Sequence, residues 1–313
     1  MKIKDIGEFG LIERISRISK KMDVLVGIGD DAAVVKTKGL QVLTTDCLVE
    51  GDHFRCDWFT PMQIGKKAIE INVSDVASMG GIPKYALVSL CLPNDLDVDF
   101  VDEMYEGFWR SCEKYDIDII GGNMSRSKQI MISIVLTGTV DKENLTLRSG
   151  AKPGDLIFVS GSIGYGRAGL RLLQEEIKGY KQLRKSYLEP TAKLDFSKNV
   201  SLYANSMIDI SDGLASELKH ICDDSNCGAV IYKDRIPIDV EVRNLANHIS
   251  EDAFDYALYG GEDFELLYSV SKENKDDVIG ICIGEITSKD IFLMLKDKKI
   301  RMKNHGYDHF FIY

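Results

Sequence analysis

Apolar residues recur along this chain with two periods, one typical of amphipathic helices and the other typical of buried strands. Helical spacing appears in several segments, and runs of β-branched and aliphatic residues predict strands between them. A turn-rich stretch at 148–155, with two glycines and a proline, interrupts the pattern near the middle of the chain. The predicted helices cover 11–18, 67–71, 100–112 and 170–173, and the predicted strands cover 41–45, 85–92, 130–140 and 156–160.

The stretch at 148–155 is the clearest candidate for a domain boundary. With 313 residues, the chain exceeds the usual length of a single domain, so two domains are expected. We place the boundary so that residues 1–147 form the first domain and residues 148–313 the second. After it, Gly161, Gly164 and Gly166 precede a predicted helix and resemble a phosphate-binding loop, although a tight strand-to-helix turn explains them equally well.

Composition and charge narrow the classes of function. An apolar fraction of 44% and a charged fraction of 28% are typical of soluble globular proteins. The formal net charge of −10 argues against a nucleic-acid partner, since such proteins need a basic face. The longest apolar run is too short to span a bilayer, and no signal peptide is predicted. Seven cysteines without zinc-site spacing are expected to be reduced thiols, which indicates a cytoplasmic protein with no membrane partner.

Five short runs pair aspartate with glycine or hydroxyl residues, and they carry the candidate chemistry. Hard divalent cations prefer oxygen ligands, and Mg²⁺ is usually shared between carboxylates and substrate phosphates. Each run by itself also suits a turn or a helix cap; Ser211 or Asp212, for example, could be the N-cap of a following helix. The runs lie at 29–31, 44–46, 72–75, 209–213 and 260–263.

Taken together, the motifs resemble those of the thiamine-monophosphate kinase family, within the PurM-like superfamily of aminoimidazole-ribonucleotide synthetase. The resemblance covers nearly the whole chain, and the combination of motifs is highly specific. It rests on GIGDDAAV at 27–34, TTDCLVEGDHF at 44–54, NVSDVASMGGIP at 72–83, the glycines and the residues after them at 121–125, RSGAKPGD at 148–155, DISDGL at 209–214, GGEDFEL at 260–266 and GYDHF at 306–310.

The resemblance implies a two-domain PurM-like fold. The N-terminal α/β domain would hold the metal and phosphate site and pair its sheet with that of a second subunit. The C-terminal domain would be α+β. A homodimer is therefore expected, and an unpaired sheet edge would otherwise favour uncontrolled association.

The resemblance also implies roles for individual residues. Asn123 stands where many bacterial members have an aspartate, and a neutral amide is a weaker Mg²⁺ ligand. Asn304 stands near the position where those members have a tryptophan at the substrate. The implied metal ligands are Asp31, Thr44, Thr45, Asp46, Asp75, Asn123, Asp209 and Asp212; the ATP contacts are Gly122, Arg148 and Ser211; and the substrate contacts are His53, Glu262 and Asn304.

The implied reaction transfers the γ-phosphoryl group of ATP to thiamine monophosphate on several Mg²⁺ ions, in line and without a general base. The acceptor phosphate has a second pKa of about 6, so it is already ionised at neutral pH. One alternative is an enzyme of the same superfamily that uses ATP to activate an amide or carbamoyl oxygen. A second alternative is a non-catalytic nucleotide-binding regulator.

Overall fold

A computed structural model describes residues 34–302 apart from Asp297, together with 23–26, Lys2, Asp5, Arg14 and Ile15. The chain contains two compact units. The first comprises Met1–Val76 and Gly81–Asp141, and the second comprises Ala77–Gly80 and Lys142–Tyr313. The predicted boundary between 147 and 148 falls a few residues inside the second unit. Apart from Arg14 and Ile15, the helix predicted at 11–18 lies outside the described residues.

The first unit contains a four-stranded sheet with the order β3-β6-β4-β5. Strand β4 is antiparallel to β6 and parallel to β5, so β6 lies inside the sheet, as its β-branched sequence predicts. A two-stranded antiparallel pair, β1 and β2, precedes the sheet. The elements are β1 (Val24–Val26), β2 (Val34–Val35), β3 (Leu40–Val49), α1 (Pro61–Ser78), β4 (Ile82–Leu92), α2 (Val98–Tyr115), β5 (Asp118–Arg126) and β6 (Met131–Val140).

Two boundaries in this unit differ from the sequence prediction. The strand predicted over 41–45 continues to Val49, so Asp46 lies inside β3 and not at its end. Pairing with β6 along its whole length extends β3, because ladder contacts override local propensity. The helix predicted at 67–71 continues to Ser78, so Asp75 lies within the helix.

The two faces of this sheet differ in their exposure. Side chains alternate between faces along a strand, and on one face Ile132, Ile134 and Leu136 are buried. On the opposite face Leu43 is 67% exposed and Leu87 is 37% exposed. Within the first unit, therefore, one face of the sheet forms the core and the other carries uncovered apolar side chains.

The second unit combines a seven-stranded sheet with six α-helices among its described residues. The strand order is β13-β12-β9-β11-β7-β10-β8, and all pairs are antiparallel except β9 with β12. This arrangement is the predicted α+β architecture. The elements are β7 (Leu156–Val159), α3 (Tyr165–Gln174), α4 (Lys181–Leu188), α5 (Leu194–Val200), β8 (Ala204–Asp209), α6 (Leu214–Asp224), β9 (Gly228–Tyr232), α7 (Val240–His248), α8 (Ala253–Tyr259), β10 (Leu266–Val270), β11 (Ile281–Thr287), β12 (Ile291–Leu295) and β13 (Lys298–Arg301).

One apolar cluster forms the main core of this unit. It joins residues of β7, β8 and β10 to residues of α3, α6, α7 and α8. Such burial is the dominant stabilising term in folding. It also fixes the strand ends from which the candidate site residues extend. Across the described part of the chain, no helix has the length and hydropathy needed to cross a membrane.

Candidate active site

In the first unit, a hydrogen bond connects β3 to α1. The hydroxyl Oγ1 of Thr44 donates to Oδ2 of Asp75, near the end of the helix. Asp46 lies two residues further along β3 and therefore projects to the same face as Thr44. Three of the predicted metal ligands thus share the side of the sheet that α1 contacts, and all three offer oxygen atoms.

Gly122 belongs to the same face as Asp46. The strand register aligns the two residues across the sheet, in a row that passes through Ile134 and Val88. A Cβ atom at this position would lie 1.9 Å from the carbonyl oxygen of Val88, so glycine is required for the close approach of the two strands here. The predicted ATP contact and the predicted metal ligand therefore lie in one cross-strand row.

Two predicted metal ligands project to the other face. Thr45 alternates with Thr44 and so shares its face with the exposed Leu43. Asn123 lies on that face too, and its Nδ2 donates to Ser125 Oγ at 3.4 Å. Within this unit the side chains of Thr45 and Asn123 are therefore not brought together with Asp75. The row that carries Asn123 runs from Cys47 through Ser133 and Ser89.

His53 lies in the loop after β3, and its imidazole is oriented by backbone. Its Nδ1 accepts a hydrogen bond from the N–H of Val49 at 3.2 Å, which places the proton of the neutral ring on Nε2. The ammonium group of Lys67 donates to the carbonyl oxygen of His53 at 3.2 Å. Lys67 is fully buried, and it lies two helical turns before Asp75 on α1.

Lys67 is a residue that the motif analysis missed. The signal was present, because positions 67, 71 and 75 fall on one face of a helix. A fully buried lysine is rare unless it is paired. Lys67 therefore holds the loop that carries His53 against the helix that carries Asp75.

Asn72 offers a test of whether this region suits a cation. Its side chain is buried, and Nδ2 donates to the carbonyl oxygen of Ala68 at 2.9 Å. Within the described part of the chain, its Oδ1 has no hydrogen-bond partner. A buried acceptor without a partner calls for an ion or a water molecule. Asn72 lies one helical turn before Asp75. The hydroxyl, carboxylate and amide oxygens of this region are atoms of the kind that Mg²⁺ takes as ligands.

The described residues alone do not complete a metal centre. Over 34–296 and the other described positions, no three side chains of histidine, cysteine, aspartate or glutamate come together at metal-binding spacing. Two residues of the predicted site, Asp31 and Asn304, lie outside the described residues.

In the second unit, Asp209 ends β8 and Asp212 follows in the turn before α6. The N–H of Asp212 donates to Oε1 of Glu217 at 2.9 Å. The N-cap of α6 is Gly213, with no side-chain cap bond, so the alternative that Ser211 or Asp212 caps this helix is wrong. A buried carboxyl in the first turn of α6 instead accepts from the backbone of the turn that precedes the helix.

Burial, together with the negative charges of Asp209 and Asp212, raises the pKa of Glu217 to about 8. The hydrogen bond from the Asp212 backbone and the positive charge of Arg148 act in the opposite direction. Glu217 was not predicted as a site residue. It lies close to three residues that were predicted as site residues, namely Asp209, Asp212 and Arg148.

Arg148 lies on a loop that is tied to the end of α6. Ser225 Oγ donates to the carbonyl oxygen of Arg148 at 3.4 Å and accepts from the N–H groups of Gly150 and Ala151 at 3.1 Å each. The RSGAKPGD motif is therefore held in place by a serine that sequence patterns do not connect with it.

The loop between α8 and β10 approaches the turn after β8. The N–H of Glu262 donates to the carbonyl oxygen of Ser211 at 2.7 Å, and the N–H of Phe264 donates to that of Ile210 at 2.8 Å. Glu262 has φ of 66° and Phe264 has φ of 50°, a left-handed conformation that costs about 1–2 kcal/mol for each non-glycine residue. A predicted substrate contact and a predicted ATP contact are thus joined through their backbones.

Two N–H groups of the glycine-rich turn at 161–166 are bonded to a carboxylate of the protein itself and are not open to a phosphate. The N–H groups of Gly164 and Gly166 donate to the carboxylate of Asp263, at 2.6 Å and 2.9 Å. Burial raises the pKa of Asp263 to about 7, against the lowering effect of these backbone bonds. The strand-to-helix turn is the correct alternative, and the protein's own carboxylate occupies the start of α3.

Comparison with known proteins first defines the class of protein to which this chain belongs. The N-terminal domain of AIR synthase related proteins matches residues 29–140, and their C-terminal domain matches residues 152–291. The fold and the oxygen-rich site therefore belong to a two-domain PurM-like protein. Thiamine-monophosphate kinase from Aquifex aeolicus is 40% identical over 317 residues, which cover 99% of this chain and 100% of that protein. This chain belongs to the thiamine-monophosphate kinase family.

Solved structures agree with this assignment. The structure of AaThiL complexed with AMPPCP and TMP is 39% identical, covers 99% of each chain and has a TM-score of 0.80. Thiamine-monophosphate kinase from Stenotrophomonas maltophilia K279a is 32% identical, covers 92% of this chain and 96% of its own, and has a TM-score of 0.83. The predicted family, the fold class and the prediction of an enzyme are confirmed.

Proposed function

We propose that this enzyme transfers the γ-phosphoryl group of ATP to the phosphate of thiamine monophosphate, giving thiamine diphosphate and ADP. The observation that carries the proposal is the shared face of Thr44, Asp46 and Asp75, which offers oxygen ligands beside the glycine of the ATP motif. The AMPPCP and TMP bound to AaThiL support the same pair of substrates.

The main obstacle in this reaction is the approach of two polyanions. Each pair of unit charges at 4 Å costs about 4 kcal/mol at an effective dielectric constant of 20. Bound Mg²⁺ supplies the positive charge that offsets this repulsion. Thr44, Asp46 and Asp75 of the first unit would be ligands for such ions, and so would Asp209 and Asp212 of the second unit.

The chain's own residues position the reactants. Arg148, Ser211 and Gly122 contact ATP. His53 and Glu262 contact thiamine monophosphate, whose cationic thiazolium suits a carboxylate partner. No residue has to remove a proton, because the acceptor phosphate is already ionised. Catalysis by in-line transfer on several Mg²⁺ ions therefore rests on positioning and electrostatics.

We also propose that the enzyme is a homodimer of the cytoplasm. The uncovered sheet face with Leu43 and Leu87 suits a second copy of the chain, because exposed apolar strand faces favour association. All seven cysteines are free thiols, which is expected in a reducing compartment.

Product analysis tests the reaction. Purified protein is incubated with ATP, Mg²⁺ and thiamine monophosphate, and the products are separated by chromatography. We expect ADP and thiamine diphosphate in equal amounts without release of phosphate. Release of phosphate together with consumption of a second nucleophile would instead favour activation of an amide or carbamoyl oxygen. Bound ATP without turnover of any thiamine ester would favour a regulator.

A further inference from the structure

Asp263 connects two parts of the second unit that are far apart in sequence. Its Oδ2 accepts from the N–H of Gly164 at 2.6 Å, and its Oδ1 accepts from the N–H of Gly166 at 2.9 Å. The first N–H groups of a helix have no partner within the helix. Since the N-cap Gly164 has no side chain to supply one, Asp263 completes the start of α3.

The residues on both sides of Asp263 are bonded to a different part of the unit. Glu262 and Phe264 donate their N–H groups to the backbone that follows β8, and both have the left-handed conformation. Non-glycine residues keep this conformation only where the surroundings determine it fully. The bonds between Asp263 and the start of α3, together with the bonds from Glu262 and Phe264 to the backbone after β8, provide that constraint.

Gly166 shows how closely the loop approaches the helix. A Cβ atom at this position would lie 2.2 Å from the carbonyl oxygen of Gly261 and 2.7 Å from the carbonyl carbon of Glu262. Any residue other than glycine would therefore displace the loop. The backbone of Glu262 is thus in direct contact with the helix start that Asp263 completes.

We propose that Asp263 is a positioning residue for the acceptor substrate. By joining α3 to the loop, it fixes the backbone of Glu262 so that this carboxylate meets the cationic part of thiamine monophosphate. The inference rests on the proposed function, because it takes Glu262 as a contact of that substrate. Asp263 itself touches neither substrate.

The first test is Asp263→Asn, which puts an amide nitrogen where a carboxylate oxygen accepts a backbone N–H. We expect KM for thiamine monophosphate to rise about tenfold or more, while KM for ATP changes less than about threefold. The matched control is Asp252→Asn. Asp252 caps α8 by accepting from Phe254 N–H at 2.9 Å, and its substitution should leave both KM values unchanged.

A double-mutant cycle separates positioning from a purely structural role. If Asp263 acts through Glu262, then adding Asp263→Asn to Glu262→Ala should raise KM for thiamine monophosphate by less than about twofold. Losses that multiply in the double variant would overturn the inference, as would equal effects on both substrates. Should Asp263→Asn fail to fold, Asp263→Glu retains the carboxyl group, lengthens the side chain and has the same expected outcomes.

The outcomes distinguish this inference from the proposed function. A wild-type enzyme that does not phosphorylate thiamine monophosphate overturns the proposed function, and the positioning role falls with it. A wild-type enzyme that is active, combined with independent effects at positions 262 and 263, overturns the positioning role alone.

Discussion

The backbone N–H of Asp212 and the carboxyl oxygen Oε1 of Glu217 are joined by a 2.9 Å hydrogen bond. Glu217 lies in the first turn of α6 and is buried. A side chain inside the helix therefore sets the path of the turn that carries Asp212, a predicted metal ligand. Substitutions at Glu217 therefore test how far the conformation of the turn depends on the carboxyl oxygen that accepts the hydrogen bond from Asp212.

We expect Glu217→Leu to destabilise the enzyme and Glu217→Gln to leave it close to wild type. Gln retains an acceptor oxygen, whereas Leu leaves the Asp212 N–H without a partner, at a cost of about 1–3 kcal/mol. Thermal unfolding measures the difference. The Leu variant should also need more Mg²⁺ for half-maximal rate, and equal Mg²⁺ requirements in both variants would contradict the role of this bond.

Asp75→Asn should abolish most of the activity without loss of the fold. The substitution removes a charge with little change of shape, and the rate should fall about a hundredfold or more, equivalent to at least about 2.7 kcal/mol. The melting temperature without metal should stay the same or rise. The matched control is Asp95→Asn, an exposed position in the same unit. If Asp75→Asn instead unfolds the protein but keeps its turnover per folded molecule, Asp75 is structural.

Leu43→Lys should produce a monomer. Leu43 is 67% exposed on the uncovered face of the sheet, and a charge there would be buried between two copies. Light scattering gives the mass in solution. Leu202 is 54% exposed in the second unit, so Leu202→Lys is the control and should remain dimeric. A wild-type protein that is monomeric at micromolar concentration would refute the dimer itself.

Asp263 should make the stability depend on pH. Burial, with a smaller contribution from the charge of Glu265, raises its pKa to about 7, whereas an aspartate in the unfolded chain has its ordinary pKa of 3.8. The folded state therefore retains a proton that the unfolded state has lost, and stability falls as the pH rises from about 4 to about 7.

Asp263→Asn cannot titrate, so its free energy of unfolding should decline less over this range. The difference between the two proteins should change by an amount on the order of a few kcal/mol. Urea unfolding at pH 4.5 and pH 7.5 measures it. Parallel pH profiles for wild type and variant would show that Asp263 is ionised throughout.

Local sequence patterns predicted the helices and strands better than they predicted the arrangement of the candidate site. The central strand β6 follows directly from its β-branched sequence, and the family resemblance rests on motifs that are contiguous in the chain. The length of β3 was missed, because pairing with β6 and not local propensity carries the strand past Asp46. The alternation that separates Thr44 from Thr45 was readable from the sequence once the strand was known to continue.

The role of Asp263 could not be read from sequence in the same way. Its partners, Gly164 and Gly166, belong to a motif for which the sequence left a phosphate-binding loop and a strand-to-helix turn both open. Only the tertiary fold brings this carboxylate to the start of α3. Long-range contacts of this kind leave no periodic signal, whereas Lys67 did leave one in its helical spacing with Asp75.

An insertion or deletion of one residue in strand β3 would change which side chains face α1. Because its residues alternate between faces, a one-residue shift would turn Thr44 and Asp46 outward and bring Leu43 and Thr45 towards α1. The proposed dimer face and the proposed metal ligands would be lost in a single step, although no side chain had been substituted. The exposed segment at 36–39 that precedes the strand can absorb a change of length. The number of residues in β3 therefore matters more for the arrangement of the site than the identity of most of them.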